Sequence, residues 1–227
     1  MTVTLEQLAG CIEHTLLSAT ATQEQIKQLC RQAKDYGFHS VCVNGRWISW
    51  AAEMLLGSNV AVGSVVSLPL GADSTKIKVA QAKDAVFAGA DEIDMVADLA
   101  AIIDGDAKYL SSQLYEVLKV CRSMKPPVIL KVIIESAALD NDQKIFACRV
   151  AQDIGVDFIK TSTGFHPAGG ATIEDIKLIK ESAPNCRIKA AGGIKTPKQA
   201  IAMLEAGAER IGTSSAVKIM EEFKAGL

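Results

Sequence analysis

One phrase recurs along the chain and narrows its fold more than any other feature. A helical pattern ends in glycine, one or two residues follow, and a short apolar run begins. The clearest copies are Tyr36-Gly37-Phe38-His39-Ser40-Val41, Ala88-Gly89-Ala90-Asp91-Glu92-Ile93, Ile154-Gly155-Val156-Asp157-Phe158-Ile159 and Ala206-Gly207-Ala208-Glu209-Arg210-Ile211. Glycine just past a helix suits the left-handed backbone that closes a helix C-terminus. The β-rich run behind it reads as the next strand. Helices alternating with strands in this way imply a parallel sheet.

Eight strands are predicted, over 12–17, 40–43, 60–67, 92–96, 128–135, 157–161, 187–190 and 210–212. Helical patterns fill the intervals at 22–36, 47–56, 74–88, 108–124, 141–154, 172–182, 197–206 and 216–223. Several strands are continuous apolar runs, as expected where helices cover both faces. Eight strand–helix pairs favour a closed barrel over an open doubly wound sheet, which usually has about five or six strands. At 227 residues the chain also has the size of one such barrel. The expected fold is therefore α/β, a single (β/α)8 TIM barrel over residues 1–227 with a short N-terminal helix.

Aromatic residues make up only 5%, so Ala, Val, Ile and Leu must fill the core. The net charge of −2 argues against non-specific binding to nucleic acid or an anionic membrane, while leaving room for a local basic site. The six cysteines, at 11, 30, 42, 121, 148 and 186, form no C-x-x-C pair, and no histidine is spaced to complete a zinc site. They read as buried free thiols. The first residues, Met1 to Gln7, show no basic-then-apolar leader. No apolar run reaches the ~18 residues of a membrane span. The expectation is a soluble cytoplasmic protein needing neither metal nor cofactor.

Barrels of this kind carry their active sites at the C-terminal ends of the strands. Polar residues there are Asp94 on the fourth strand, Lys131 and Glu135 on the fifth, Lys160 on the sixth and Lys189 on the seventh. A single strand lysine commonly snorkels to solvent. One ion pair would explain Asp94 with one lysine, but not a second lysine beside them. That second cation has a chemical use. A lysine attacks a carbonyl only as the free amine, and its ordinary pKa is ~10.4. A neighbouring cation and partial burial disfavour the charged form. Lys189 can thus keep a fraction of Lys160 neutral. The amine adds to an aldehyde and loses water, and the resulting iminium stabilises an adjacent carbanion. Asp94 is suited to shuttle protons.

Three glycine-rich loops follow late strands: Gly169-Gly170-Ala171-Thr172, Gly192-Gly193 and Gly212-Thr213-Ser214-Ser215, the last opening a helix. A lone Gly-Gly is usually a turn. Glycine loops after the seventh and eighth strands, with hydroxyls at a helix start, fit the phosphate site common in such barrels. His14, His39 and His166 do not cluster, and Trp47 and Trp50 read as packing residues.

Taken together, Ile12-Glu13-His14-Thr15-Leu16-Leu17, Val41-Cys42-Val43-Asn44, Ala90 to Val96, Leu130 to Glu135, Phe158 to Phe165, Lys189 to Ile194 and Arg210 to Ser215 resemble the deoxyribose-phosphate aldolase family of class I, Schiff-base aldolases. The resemblance spans nearly the whole chain, in order. It implies reversible cleavage of 2-deoxy-D-ribose 5-phosphate to D-glyceraldehyde 3-phosphate and acetaldehyde, in deoxyribonucleotide breakdown. It implies that Lys160 forms the Schiff base, with Asp94 and Lys189 as the proton relay. It implies substrate or phosphate contacts at Thr15, Cys42, Lys131, Thr163, Gly164, Gly192, Gly193, Gly212, Ser214 and Ser215. By analogy the chain pairs as a homodimer.

Several positions depart from the family pattern. Glu13 stands for Asp, Ser67-Leu68-Pro69 for Gly-Phe-Pro and Asn44-Gly45 for Asn-Pro. The loop around His166-Pro167-Ala168 is longer, and Gly226-Leu227 stands where some members carry a tyrosine. The competing readings are another phosphosugar aldolase or isomerase of the same barrel fold, the isomerase without a covalent step, and a non-catalytic phosphosugar-binding protein.

Overall fold

The computed structural model describes residues 3–226. Met1, Thr2 and Leu227, where the leader and terminal-residue readings fall in part, lie outside them. The eight predicted strands are present: β1 Ile12–Leu16, β2 Ser40–Val43, β3 Ala61–Val66, β4 Glu92–Val96, β5 Ile129–Ile133, β6 Phe158–Lys160, β7 Arg187–Ala191 and β8 Arg210–Thr213. All pair in parallel in chain order, and β8 closes on β1 through Glu13 opposite Gly212. The helices are α1 Leu5–Cys11, α2 Gln23–Tyr36, α3 Ile48–Leu55, α4 Thr75–Phe87, α5 Leu99–Ile103, α6 Ala107–Arg122, α7 Asn141–Ile154, α8 Ile173–Ser182, α9 Pro197–Ala206 and α10 Ala216–Lys224. The short N-terminal helix of the sequence reading is α1. No helix among the described residues is long and apolar enough to cross a membrane.

Local chemistry explains most of the boundaries. Thr4, Thr22, Asp140 and Thr196 each form a capping box with a glutamine three residues on, which satisfies backbone donors at the helix start. Gly37 and Gly155 close α2 and α7 in the left-handed conformation, at φ 69° and 82°. β3 stops short of the predicted residue 67 because Ser67 turns to φ 59°, at the position where the family pattern has glycine. There Ser67 Oγ donates to Asp73 at 2.9 Å, and the Ser67 amide donates to Gln81 at 2.7 Å. The one helix not foreseen, α5, has five residues, too few for a periodic pattern. Asp98 starts it by accepting the Ala101 amide at 3.0 Å.

Two kinds of core result. Between strands and helices, Val41, Ile93, Leu130, Val132, Ile159 and Ile211 are buried in one apolar layer. Inside the barrel the packing is of another kind. Alternate strand residues face the axis, and many of them here are charged.

Candidate active site

The strand register places Glu13, Glu92, Asp94, Lys131, Lys160 and Lys189 on the inner face. All six are buried, Lys160 least completely at 3% exposed. Asp94 is the hub. Its Oδ2 accepts from Lys160 Nζ at 2.8 Å and from Lys189 Nζ at 2.6 Å, and its Oδ1 accepts from Lys131 Nζ at 3.1 Å. Lys189 also donates to Glu13. Lys131 donates further to Glu13 at 3.3 Å and to Glu92 at 2.5 Å. The second oxygen of Glu92 meets His39 Nε2 at 3.0 Å. Lys160 and Lys189, expected from the sequence to crowd each other, meet on a single oxygen.

Burial alone would push the Asp94 carboxyl up. The ammonium groups of Lys131, Lys160 and Lys189 overcome this and hold it well below the usual carboxylate range. Burial likewise pulls Lys189 down, but Asp94 and Glu13 outweigh it and keep its pKa above that of an ordinary lysine. Lys131 is held well above the usual value by Asp94, Glu13 and Glu92 against the same desolvation. Lys189 is therefore a lasting cation beside Lys160. Lys160 touches one carboxylate, where Lys189 touches two and Lys131 three. Of these lysines, Lys160 alone lines the cavity above.

That cavity has a volume of about 700 Å³ and lies over the C-terminal ends of β1, β6, β7 and β8. Of the residues expected to hold substrate, Thr15, Thr163, Gly164, Gly192, Gly193, Gly212 and Ser214 line it. Two glycines there serve close packing. A Cβ on Gly170 would lie 2.3 Å from the Gly192 carbonyl oxygen, so the loops after β6 and β7 stack backbone on backbone. A Cβ on Gly212 would lie 2.9 Å from Lys189 Cε, so this glycine makes room for the lysine stem.

Three of the expected residues lie off the cavity lining. Lys131 is fully buried and donates to three carboxylates. Cys42 is 1% exposed and outside the cavity lining, with burial and the Asp94 charge pushing its thiol up to about 11. Ser215 also lies off the lining, and its amide donates to Thr213 Oγ1 at 2.9 Å. Thr163 lines the cavity, but its hydroxyl is engaged by Glu135.

Sequence reasoning missed Glu92 and gave Glu13 no partner. The signal was there in Glu92 and Asp94, two apart on one strand and hence on one face. It also missed Lys195, an exposed cation at the cavity mouth two residues after Gly193.

Comparison with known proteins adds to this geometry. Residues 10–222 match the model of the DeoC/LacD family aldolases. The chain is 46% identical over 221 residues to the deoxyribose-phosphate aldolase of Caldanaerobacter subterraneus subsp. tengcongensis, covering 97% of this chain and 95% of that protein. It is 50% identical over 216 residues to that of Aciduliprofundum boonei, covering 95% and 96%. Among solved structures, the tetrameric deoxyribose phosphate aldolase of Aeropyrum pernix superposes with a TM-score of 0.91 at 30% identity, over 99% of this chain and 94% of that one.

Proposed function

The chain belongs to the DeoC/LacD aldolase family, and on that premise we propose that it is a lyase that reversibly cleaves 2-deoxy-D-ribose 5-phosphate to D-glyceraldehyde 3-phosphate and acetaldehyde through a Schiff base on Lys160. The observation that carries the choice of nucleophile is the inequality among the three buried lysines around Asp94. Lys160 has the fewest anionic partners and alone borders the cavity. A free amine there leaves Lys131 and Lys189 still balanced by carboxylates.

The chemistry follows from the placement. The Lys160 amine adds to the C1 aldehyde of the open-chain sugar and expels water, giving an iminium. Removal of the C3 hydroxyl proton then breaks the C2–C3 bond, releases the triose phosphate and leaves an enamine. Protonation at C2 and hydrolysis return acetaldehyde and the free lysine. Asp94 and Lys189, hydrogen-bonded to each other beside Lys160, act as the proton relay. The phosphate is held at the Gly192-Gly193 loop, at Ser214 ahead of α10 and by Lys195, since glycine-loop amides and a helix start favour an anion.

In this reading the chain works as one barrel domain in the cytoplasm, in deoxyribonucleotide breakdown, without nucleic-acid or membrane partners. It pairs as a homodimer. The direct test is acetaldehyde release. We expect release from 2-deoxyribose 5-phosphate, with kcat/KM lower by about tenfold or more for unphosphorylated 2-deoxyribose, the loss expected when charged hydrogen bonds are removed. No acetaldehyde from either sugar would refute the assignment.

A further inference from the structure

The strand before the Lys160 strand ends in a turn that neither the cavity lining nor the relay explains. The Ile134 amide donates to the Lys160 carbonyl at 3.1 Å, and the Ser136 amide donates to the Thr161 carbonyl at 2.8 Å. Between them Glu135 sits at φ 53°, a left-handed backbone seldom adopted outside glycine. Such strain persists only where surrounding contacts over-determine it. Here the contacts are plain. The Glu135 carboxylate is 1% exposed and turned toward Thr163. Its two oxygens accept the Thr163 amide at 3.2 and 3.3 Å, and Oε2 also accepts the Thr163 hydroxyl. Thr163 Oγ1 then accepts the Phe165 amide at 3.1 Å.

The next residue repeats the device at the far end of the same loop. Ser136 Oγ donates to Asp175 Oδ2 at 2.9 Å, in the first turn of α8, and Lys144 braces the other Asp175 oxygen at 2.8 Å. Consecutive residues after β5 therefore grip both ends of the loop that joins β6 to α8. Thr163, Gly164 and Phe165, at the start of that loop, form one wall of the cavity.

Resting on the aldolase reading above, we propose that Glu135 is a positioning residue for this reaction: it sets the path of the chain after Lys160 and so shapes the wall against which the phosphosugar lies, without touching the reacting atoms. Lys160 itself is held by the strand pairing of β6 and by Asp94. Loss of Glu135 thus acts on substrate binding and leaves imine formation with a small aldehyde alone.

The test compares wild type with Glu135→Ala and with Glu135→Gln. The glutamine is isosteric and sets an amide donor against the Thr163 donors. In folded variants KM for 2-deoxyribose 5-phosphate should rise about tenfold or more, as expected when hydrogen bonds to an ionised group are lost. The kcat should change by less than about threefold, the signature of lost uniform binding. The yield of the borohydride-reduced adduct with acetaldehyde should stay the same, while amides 161–165 should exchange with solvent about tenfold faster, having lost a buried anchor. If Glu135→Ala fails to fold, Glu135→Gln carries the same comparison. Unchanged KM and exchange would overturn the proposal. So would a fall in kcat and adduct yield at constant KM. The exchange measurement needs no turnover, so a wild type that forms no adduct would count against the aldolase reading and leave the Glu135 anchor to be judged by exchange.

Discussion

Lys160 and Lys189 donate to the same oxygen of Asp94, so removing that carboxylate would leave two ammonium groups facing each other in a water-poor interior. Asp94→Asn should lower kcat by about 10²- to 10⁴-fold, the usual range for a lost acid–base group. A steady-state assay at fixed pH would check it, and a loss under threefold would remove Asp94 from the relay. Lys131→Met tests a different role. It strands Glu13, Glu92 and Asp94 with one cation fewer. Breaking a buried ion pair from one side typically costs about 3–5 kcal/mol, so urea unfolding should show a loss of that order. A direct substrate contact would instead raise KM and leave stability unchanged. The network also gives a place to Glu13. Its side chain reaches Lys189 and Lys131, so the departure from aspartate there falls within the charge cluster.

The barrel was readable from sequence because its cues are local: a glycine at a helix end, a capping threonine, an apolar run. Strands β2 and β4 and helices α7 and α9 coincide with their predicted limits. Two of the differences, at the ends of β3 and β5, arise where a side chain does what glycine usually does, at Ser67 and Glu135. The site was readable to the extent that strand ends in a barrel converge. Asp94, Lys160 and Lys189 could be placed together by strand number alone. Depth could not be read this way. Lys131 and Lys160 face the same axis, and only the stagger of the strands puts one beneath the cavity and the other beside it. Gly212 belongs to this scale as well, since β8 must leave space for a side chain of β7. Gly212→Ala should push the Lys189 stem off Asp94 and lower kcat about tenfold or more, as displacement of a catalytic group by about an ångström does. Thermal stability should fall as well, since a buried ion pair is weakened. Unaltered kcat would mean that the lysine has another way round.

Across the whole molecule, the inner charge cluster ties stability to pH. Asp94 and Glu92 are held below their ordinary values by the lysines despite burial. Their contribution is therefore fully present above the unfolded value of ~4 and is lost as pH falls through the lower folded values. Lys131 and Lys189 are raised. Theirs is fully present below ~10.4 and lost as pH rises through the higher folded values. Thermal denaturation against pH should show a plateau between these limits; in Lys131→Met the plateau should be lower and the fall at each end shallower, because less stability is left to lose there; identical curves would show that the cluster does not couple to folding.

In the proposed mechanism, activity depends on the same cluster supplying the nucleophilic amine, at the position that meets the cavity. The most direct measurement is reduction of the enzyme–acetaldehyde mixture with borohydride, followed by peptide mapping. The account predicts a single reduced adduct on Lys160, absent from Lys160→Leu although that variant remains folded. An adduct on Lys189 or Lys131, or none on a wild type that still releases acetaldehyde, would contradict it.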